Sequence, residues 1–103
     1  MTTQAFTLAA DTNVDELTNV THPELARYSS IVREMMYAGE FGDYVADLAT
    51  DYSDDDDANA TIHIMYFPAT ERAAISDNGG VNWTDAANVE DAAARYRNDE
   101  MMA

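Results

Sequence analysis

The chain contains no lysine, and its five arginines face twenty acidic residues among 103 in total. The formal net charge of −15 is about twice the upper end of the roughly 2–8 charges that keep a small domain soluble. Self-repulsion of this size works against the compact state. The imbalance therefore indicates either a positively charged partner or adaptation to high salt. Direct binding of nucleic acid is disfavoured, because phosphate contacts need a basic footprint.

Cysteine is also absent, which excludes disulfides and thiolate chemistry and is typical of a reducing compartment. The opening residues, Met1 to Phe6, lack a basic region, and no run approaches the roughly 20 apolar residues that span a bilayer. These absences predict a cytoplasmic protein with no membrane partner.

What is present is enough apolar material for one core, since 47% of the residues are hydrophobic. Domains cluster near roughly 100–150 residues. We therefore expect residues 1–103 to form a single acidic α+β domain, with residues 1–12, 53–59 and 98–103 only loosely held.

Apolar spacing predicts two helices in the first half of the chain. Gln4–Leu8 fits a short edge strand, and Asp11–Leu17 fits a helical turn. A capping pattern at Thr21–Glu24 then starts a helix whose apolar stripe runs to about Ala38 and ends at Gly39. A second amphipathic helix is predicted from Glu40 to about Ser53, folded back on the first as a hairpin.

Alternating and turn-forming residues predict strands in the second half. The expected strands are Thr61–Phe67, Arg72–Ser76 and Val81–Trp83, joined by turns at residues 68–71 and 77–80. A closing helix from about Ala86 to Arg97 would be capped by Thr84 or Asp85. The predicted fold class is thus α+β, with a helical hairpin followed by a small three-stranded antiparallel sheet and a C-terminal helix.

A line of carboxylates is the candidate binding site. On the predicted second helix, four acids lie opposite the apolar face at steps of three and four residues, about 6 Å apart along the axis for the four-residue steps. An aspartate run, expected to be a solvated loop, continues the line. The predicted partner-binding residues are Glu40, Asp43, Asp47, Asp51, Asp54, Asp55, Asp56 and Asp57.

In size and charge the chain resembles the small acidic proteins by which phages and plasmids block host defence and repair: antirestriction proteins, anti-CRISPR proteins and uracil-DNA glycosylase inhibitors. The resemblance covers composition along the whole chain, and no motif of any one family is matched. It implies a stoichiometric inhibitor that mimics DNA in the basic groove of a CRISPR surveillance complex, a restriction enzyme or a repair enzyme. Such an inhibitor would act in the host cytoplasm if the chain is phage-encoded.

Two alternatives make no use of a partner groove. High-salt adaptation would explain the acidity of an intracellular protein without any binding role, and a small adaptor would bind through apolar contacts instead. A calcium loop starting at Asp51 fails, because Asp56 stands where the turn glycine belongs and Ile62 where the bidentate glutamate belongs. We therefore expect no metal site.

Enzymatic chemistry has little support in the sequence. His22 lies at a helix start and His63 in a predicted strand, with nothing to bring them together. There is no glycine-rich phosphate loop, no histidine pair at metal-ligand spacing and no serine in a nucleophile motif. The sequence predicts no catalytic residue and no cofactor.

Overall fold

The computed structural model of the protein describes residues 2–52, 61–77 and 80–102, without the side chains of residues 2, 51, 52, 61 and 97–102. Helical segments lie on both sides of one sheet. The elements in chain order are β1 (Thr2–Leu8), α1 (Val14–Glu16), a π-helical turn (Leu17–Thr21), a 3₁₀ segment (Pro23–Tyr28), α2 (Ser29–Tyr37), β2 (Gly42–Tyr52), β3 (Thr61–Phe67), β4 (Arg72–Asp77), β5 (Gly80–Asp85) and α3 (Val89–Met102).

The sheet contains five strands in the order β1-β2-β3-β4-β5, and every neighbouring pair is antiparallel. The prediction of a three-stranded sheet was therefore wrong. The three predicted strands correspond to β3, β4 and β5, the predicted edge strand at Gln4–Leu8 lies within β1, and β2 is the strand that was missed.

The second helix and the helical hairpin were wrong because residues 42–52 form β2. This strand pairs with all seven residues of β1, from Thr2 opposite Leu48 to Leu8 opposite Gly42. Its alternate side chains Ala46 and Leu48 are buried, whereas Val45 is 51% exposed. A helix would have placed Val45 beside Leu48 on the apolar face, but a strand turns the two side chains to opposite faces.

The larger core lies between one face of the sheet and the helical segments before β2. Every strand contributes to it, and its helical side is formed by side chains that are almost entirely buried. A row of aromatic rings crosses the same face: Phe6 stacks on Tyr44, Tyr44 meets Phe67 edge-on, and Phe67 stacks on Trp83. The buried helical residues are Leu17, Leu25, Tyr28, Ile31, Val32 and Met35.

The smaller core lies on the opposite face, beneath α3. It joins Ile62, Ile64 and Tyr66 of β3 to Ala73 and Ile75 of β4, and these side chains pack against the start of α3. The other side of the contact is formed by Ala86, which precedes α3, and by Val89, Ala92 and Ala93 of α3. Because α3 packs over the middle of the sheet, it leaves β1 and the neighbouring part of β2 uncovered on this face.

Three predicted helix ends can be compared with the structure. The capped start predicted at Thr21–Glu24 was wrong, because the segment from Pro23 is 3₁₀ and His22 at its start makes no side-chain cap. The stop at Gly39 is confirmed: its φ is +76°, and the N–H of Glu40 donates to the Met35 carbonyl over 3.0 Å, as in a glycine-terminated helix. The expected cap of the last helix was wrong. The Oδ1 of Asn88 accepts the Asp91 N–H at 2.7 Å, so the cap lies three to four residues later than Thr84 or Asp85.

Candidate acidic interaction surface

The uncovered part of the sheet presents a small surface that we call the open face. It lies on β1 and β2, on the side away from α1 and α2, and its side chains are exposed except for a half-buried Asp47. Its members are Thr3, Ala5, Thr7, Asp43, Val45 and Asp47. Two of the predicted partner-binding carboxylates therefore share one face, although the element that holds them is a strand and not a helix.

The four-residue spacing of Asp43 and Asp47 explains why they share a face even though the predicted secondary structure was wrong. Residues four apart lie on one side of a helix and also on one side of a strand, since four is a multiple of the strand period of two. The distance differs, however. At about 3.3 Å per residue, Asp43 and Asp47 are about 13 Å apart along β2, roughly twice the helical value.

Both carboxylates are held by hydroxyl groups of β1. Thr7 stands opposite Asp43 in the register, and Thr3 stands opposite Asp47. The Thr7 hydroxyl donates to Asp43 Oδ1 over 2.6 Å, and the Thr3 hydroxyl donates to Asp47 Oδ1 over 2.7 Å. The two carboxylates therefore lean over β1 toward the outer edge of the sheet.

No arginine neutralises these two aspartates in the part of the chain that the structure describes. The ion pairs found there lie elsewhere and join Arg33 to Asp15, Arg72 to Asp85 and Arg95 to Asp91. A carboxylate offers about four acceptor positions, and each open-face aspartate uses one of them on a threonine. Both charges consequently remain available to a cation from outside.

The other predicted site residues do not extend this row as expected. Glu40 lies before β2. Burial, with a smaller contribution from the charge of Glu40, raises the pKa of Tyr44, which faces the helical segments. Asp51 lies within β2, but only its backbone is described. The run Asp54–Asp57 and most of the rejected calcium loop lie outside the described residues.

The threonines and Val45 were missed as parts of the surface. The sequence pattern that could have identified the threonines is the alternation in β1. There Thr3, Ala5 and Thr7 are small and exposed, while Phe6 and Leu8 are buried. That alternation identifies a strand with one uncovered side, but a sequence cannot say which strand lies next to it.

A second polar group lies on the face of the sheet that packs against α1 and α2, and it has a structural role. The hydroxyl of Thr50 is 3.2 Å from His63 Nδ1 and 3.5 Å from the Tyr28 hydroxyl, and the Tyr28 and His63 rings meet edge-on. Burial, with the nearby charge of Arg27, lowers the pKa of His63. The neutral imidazole is therefore the form that the fold favours.

The described residues contain no group of three or more histidine, cysteine, aspartate or glutamate side chains placed to hold a metal ion. Within the same residues, no helix is both long and apolar enough to cross a membrane.

Two aromatic rings near Gly39 are exposed. Tyr37 is 87% exposed and Phe41 is 47% exposed, while Tyr28 and Tyr66 are buried in the two cores. The exposed pair lies in the connection between α2 and β2.

Comparison with known proteins gives no match: no family model, curated protein or solved structure is similar to this chain.

Proposed function

We propose that the protein is a stoichiometric inhibitor that occupies the basic nucleic-acid groove of a defence or DNA-processing complex, in the manner of anti-CRISPR and antirestriction proteins. It would block nucleic-acid binding by presenting carboxylates where phosphates normally lie. The observation that carries the proposal is the open face, where Asp43 and Asp47 are oriented by threonines and unpaired with arginine in the described chain.

Orientation matters because binding has an entropic cost. A free side chain must be immobilised when it forms an ion pair, at about 0.5–1.5 kcal/mol for each flexible side chain. The hydrogen bonds from Thr3 and Thr7 already restrict the two aspartates in the unbound protein. They leave the charge in place while reducing the freedom that a partner would have to remove.

The total charge supports the same function because it should speed association with a cationic groove. A net charge of −15 attracts a cationic groove over a distance set by the Debye length, about 8 Å at physiological salt. Electrostatic steering of this kind raises association rates and suppresses partners of the wrong charge. Inhibition should consequently weaken as salt concentration rises.

The test is competition against nucleic acid with purified complexes of three classes: a CRISPR surveillance complex, a restriction enzyme and a uracil-DNA glycosylase. We expect the wild-type protein to displace nucleic acid from one of them, in a salt-sensitive way. The double substitution Asp43→Asn with Asp47→Asn should weaken inhibition about tenfold, because two exposed ion pairs contribute about 0.2–1 kcal/mol each.

A matched control separates local contacts from total charge. Glu24→Gln with Glu34→Gln removes the same two charges from exposed positions on the helical layer, and should reduce inhibition less. Thr3→Val with Thr7→Val keeps every charge and removes only the orienting hydroxyls, so a smaller loss is expected. Equal effects of the two acidic double variants, or no inhibition in any class, would contradict the proposal.

High-salt adaptation is the second candidate, and one observation favours it: exposed acids also occur on the helical layer, at Glu16, Glu24 and Glu34. Acids spread over several surfaces are what salt adaptation requires. It predicts a protein that unfolds when salt is withdrawn and refolds when salt is restored, with no salt-sensitive protein partner. Chemical denaturation followed at low and at molar potassium chloride distinguishes the two candidates.

A further inference from the structure

The outer edge of β1 differs from the other edge of the sheet. Outer strands leave a row of backbone N–H and C=O groups unpaired, and monomeric proteins blunt such edges with charged residues, proline, bulges or short length. β1 has none of these: its seven residues pair with β2 in unbroken register, and it contains neither proline nor a charged side chain. The opposite edge, β5, ends in Asp85, which pairs with Arg72.

β1 lies in one of the two stretches of ten or more residues that carry no charged side chain. Charged residues number 25 of 103, so about two would be expected in any ten, yet residues 1–10 contain none. The other uncharged stretch, residues 58–70, contains β3, which is paired on both sides. Of the two edge strands, β1 is the one without a charged side chain, so its edge is the place where a strand of another chain could approach most closely.

The aspartates beside this edge indicate the chemistry of the occupant. Strands lie about 4.8 Å apart, so a strand added outside β1 would be separated from β2 by β1 alone. The small side chains Thr3, Ala5 and Thr7 form the surface between them, and Asp43 and Asp47 already lean across it. The long stem of a lysine or arginine on the added strand can cross this distance.

We infer that β1 receives an extended segment of the partner as a sixth strand, with basic side chains four residues apart that reach Asp43 and Asp47. The four-residue spacing follows from the register, and the position midway between them lies over Ala5 and Val45, where a small or apolar side chain fits. Backbone hydrogen bonds would provide affinity, and the two carboxylates would provide selectivity.

This inference rests on the proposed function, since it names the segment of the cationic partner that the open face contacts. A second copy of the chain is the other conceivable occupant of the edge. Pairing β1 with β1 would bring two molecules of charge −15 together and would supply no cation for Asp43 or Asp47, so charge complementarity favours the basic segment.

The experiment uses the intact protein and a synthetic peptide of nine residues, with lysines four apart, valine midway between them and threonine elsewhere. We expect backbone amide signals of β1 to shift in NMR spectra and their hydrogen exchange to slow about tenfold or more on binding, as for newly paired strand amides. Moving one lysine by one residue turns it to the other face, and should weaken binding about tenfold.

The decisive control is the same peptide methylated on alternate backbone nitrogens along the edge that would face β1. Its charge and length are unchanged, but it cannot donate hydrogen bonds to a neighbouring strand. Loss of binding supports strand addition. Equal binding of the methylated peptide, amide shifts confined to elements other than β1 and β2, or a dimer of the free protein held through β1 would each overturn the inference.

The outcomes separate this inference from the proposed function. If the peptide adds to β1 but no nucleic-acid-binding complex is inhibited, the proposed function alone fails. If a complex is inhibited through Asp43 and Asp47 while the methylated peptide binds as well as the unmethylated one, the strand addition alone fails.

Discussion

The two faces of the sheet are covered to different extents. Helical segments cover one face from β1 to β5, whereas α3 covers the other only over its middle and leaves the open face exposed. β1 and the neighbouring part of β2 are therefore held by burial on one side alone. The difference suggests a division of roles, in which the covered side supplies stability and the uncovered side is free to present charge.

The largest effect should come from comparing two residues of the same strand. Leu48→Ala removes a side chain that is 4% exposed in the larger core, and should lower the free energy of unfolding by about 3 kcal/mol. Val45→Ala on the open face, where the side chain is 51% exposed, should cost less than about 1 kcal/mol. Urea denaturation measures both, and similar losses would show that the open face also supports the fold.

That strand is also where the sequence was misleading. Tyr44 and Leu48 are four residues apart, a step that suits both a helix and a strand, so the apolar pattern could not decide between them. The residue that decides is Ala46, which is fully buried in the structure but carries little weight in a hydrophobic pattern. Residues 42–52 form a strand because they pair with β1. This tertiary contact is not encoded in the local spacing of apolar residues.

Two predictions from local sequence held. Gly39 ends α2 because it adopts a positive φ that other residues avoid. β3 was recognisable because both of its faces are apolar, which its position at the centre of the sheet explains. Of the candidate site, the shared face of Asp43 and Asp47 was predictable from their spacing, but the threonines that orient them were not, because they come from a strand about 40 residues away.

A second prediction concerns α3, the helix that covers the smaller core. Asn88→Ala removes the side chain that caps α3 and should lower the free energy of unfolding by about 1 kcal/mol. Asn88→Asp retains a capping oxygen and is the matched control. Thermal unfolding followed by circular dichroism measures the loss, and an unchanged midpoint for the alanine variant would mean that α3 does not depend on this cap.

A smaller gain in stability should come from the turn between β3 and β4. Glu71 has a φ of +52°, a conformation that costs a residue with a side chain more than it costs glycine. Glu71→Gly should therefore raise the free energy of unfolding by about 0.5 kcal/mol. Glu71→Gln removes the charge and keeps the strain, so a gain of the same size in that variant would assign the effect to charge repulsion.

The smallest expected effect is a pH dependence of the free energy of unfolding that arises from His63, on the face that packs against α1 and α2. The pKa of His63 is lowered in the folded protein, so its contribution is fully present above its ordinary value of about 6.5 and declines as pH falls below it. His63→Asn keeps a polar atom near Thr50 and should remove that part of the decline. Urea midpoints between pH 7.5 and 5.5 test this, and identical slopes for the two proteins would contradict it.

The row of rings from Phe6 to Trp83 gives the molecule a built-in optical reporter. Trp83 is the one tryptophan in the chain. It stacks on the Phe67 ring, and the Cζ of Arg72 lies 4.9 Å from the indole centroid. Its emission therefore arises from a single known position at one end of the row. Loss of order in the β5 region can be followed by fluorescence without attaching a dye.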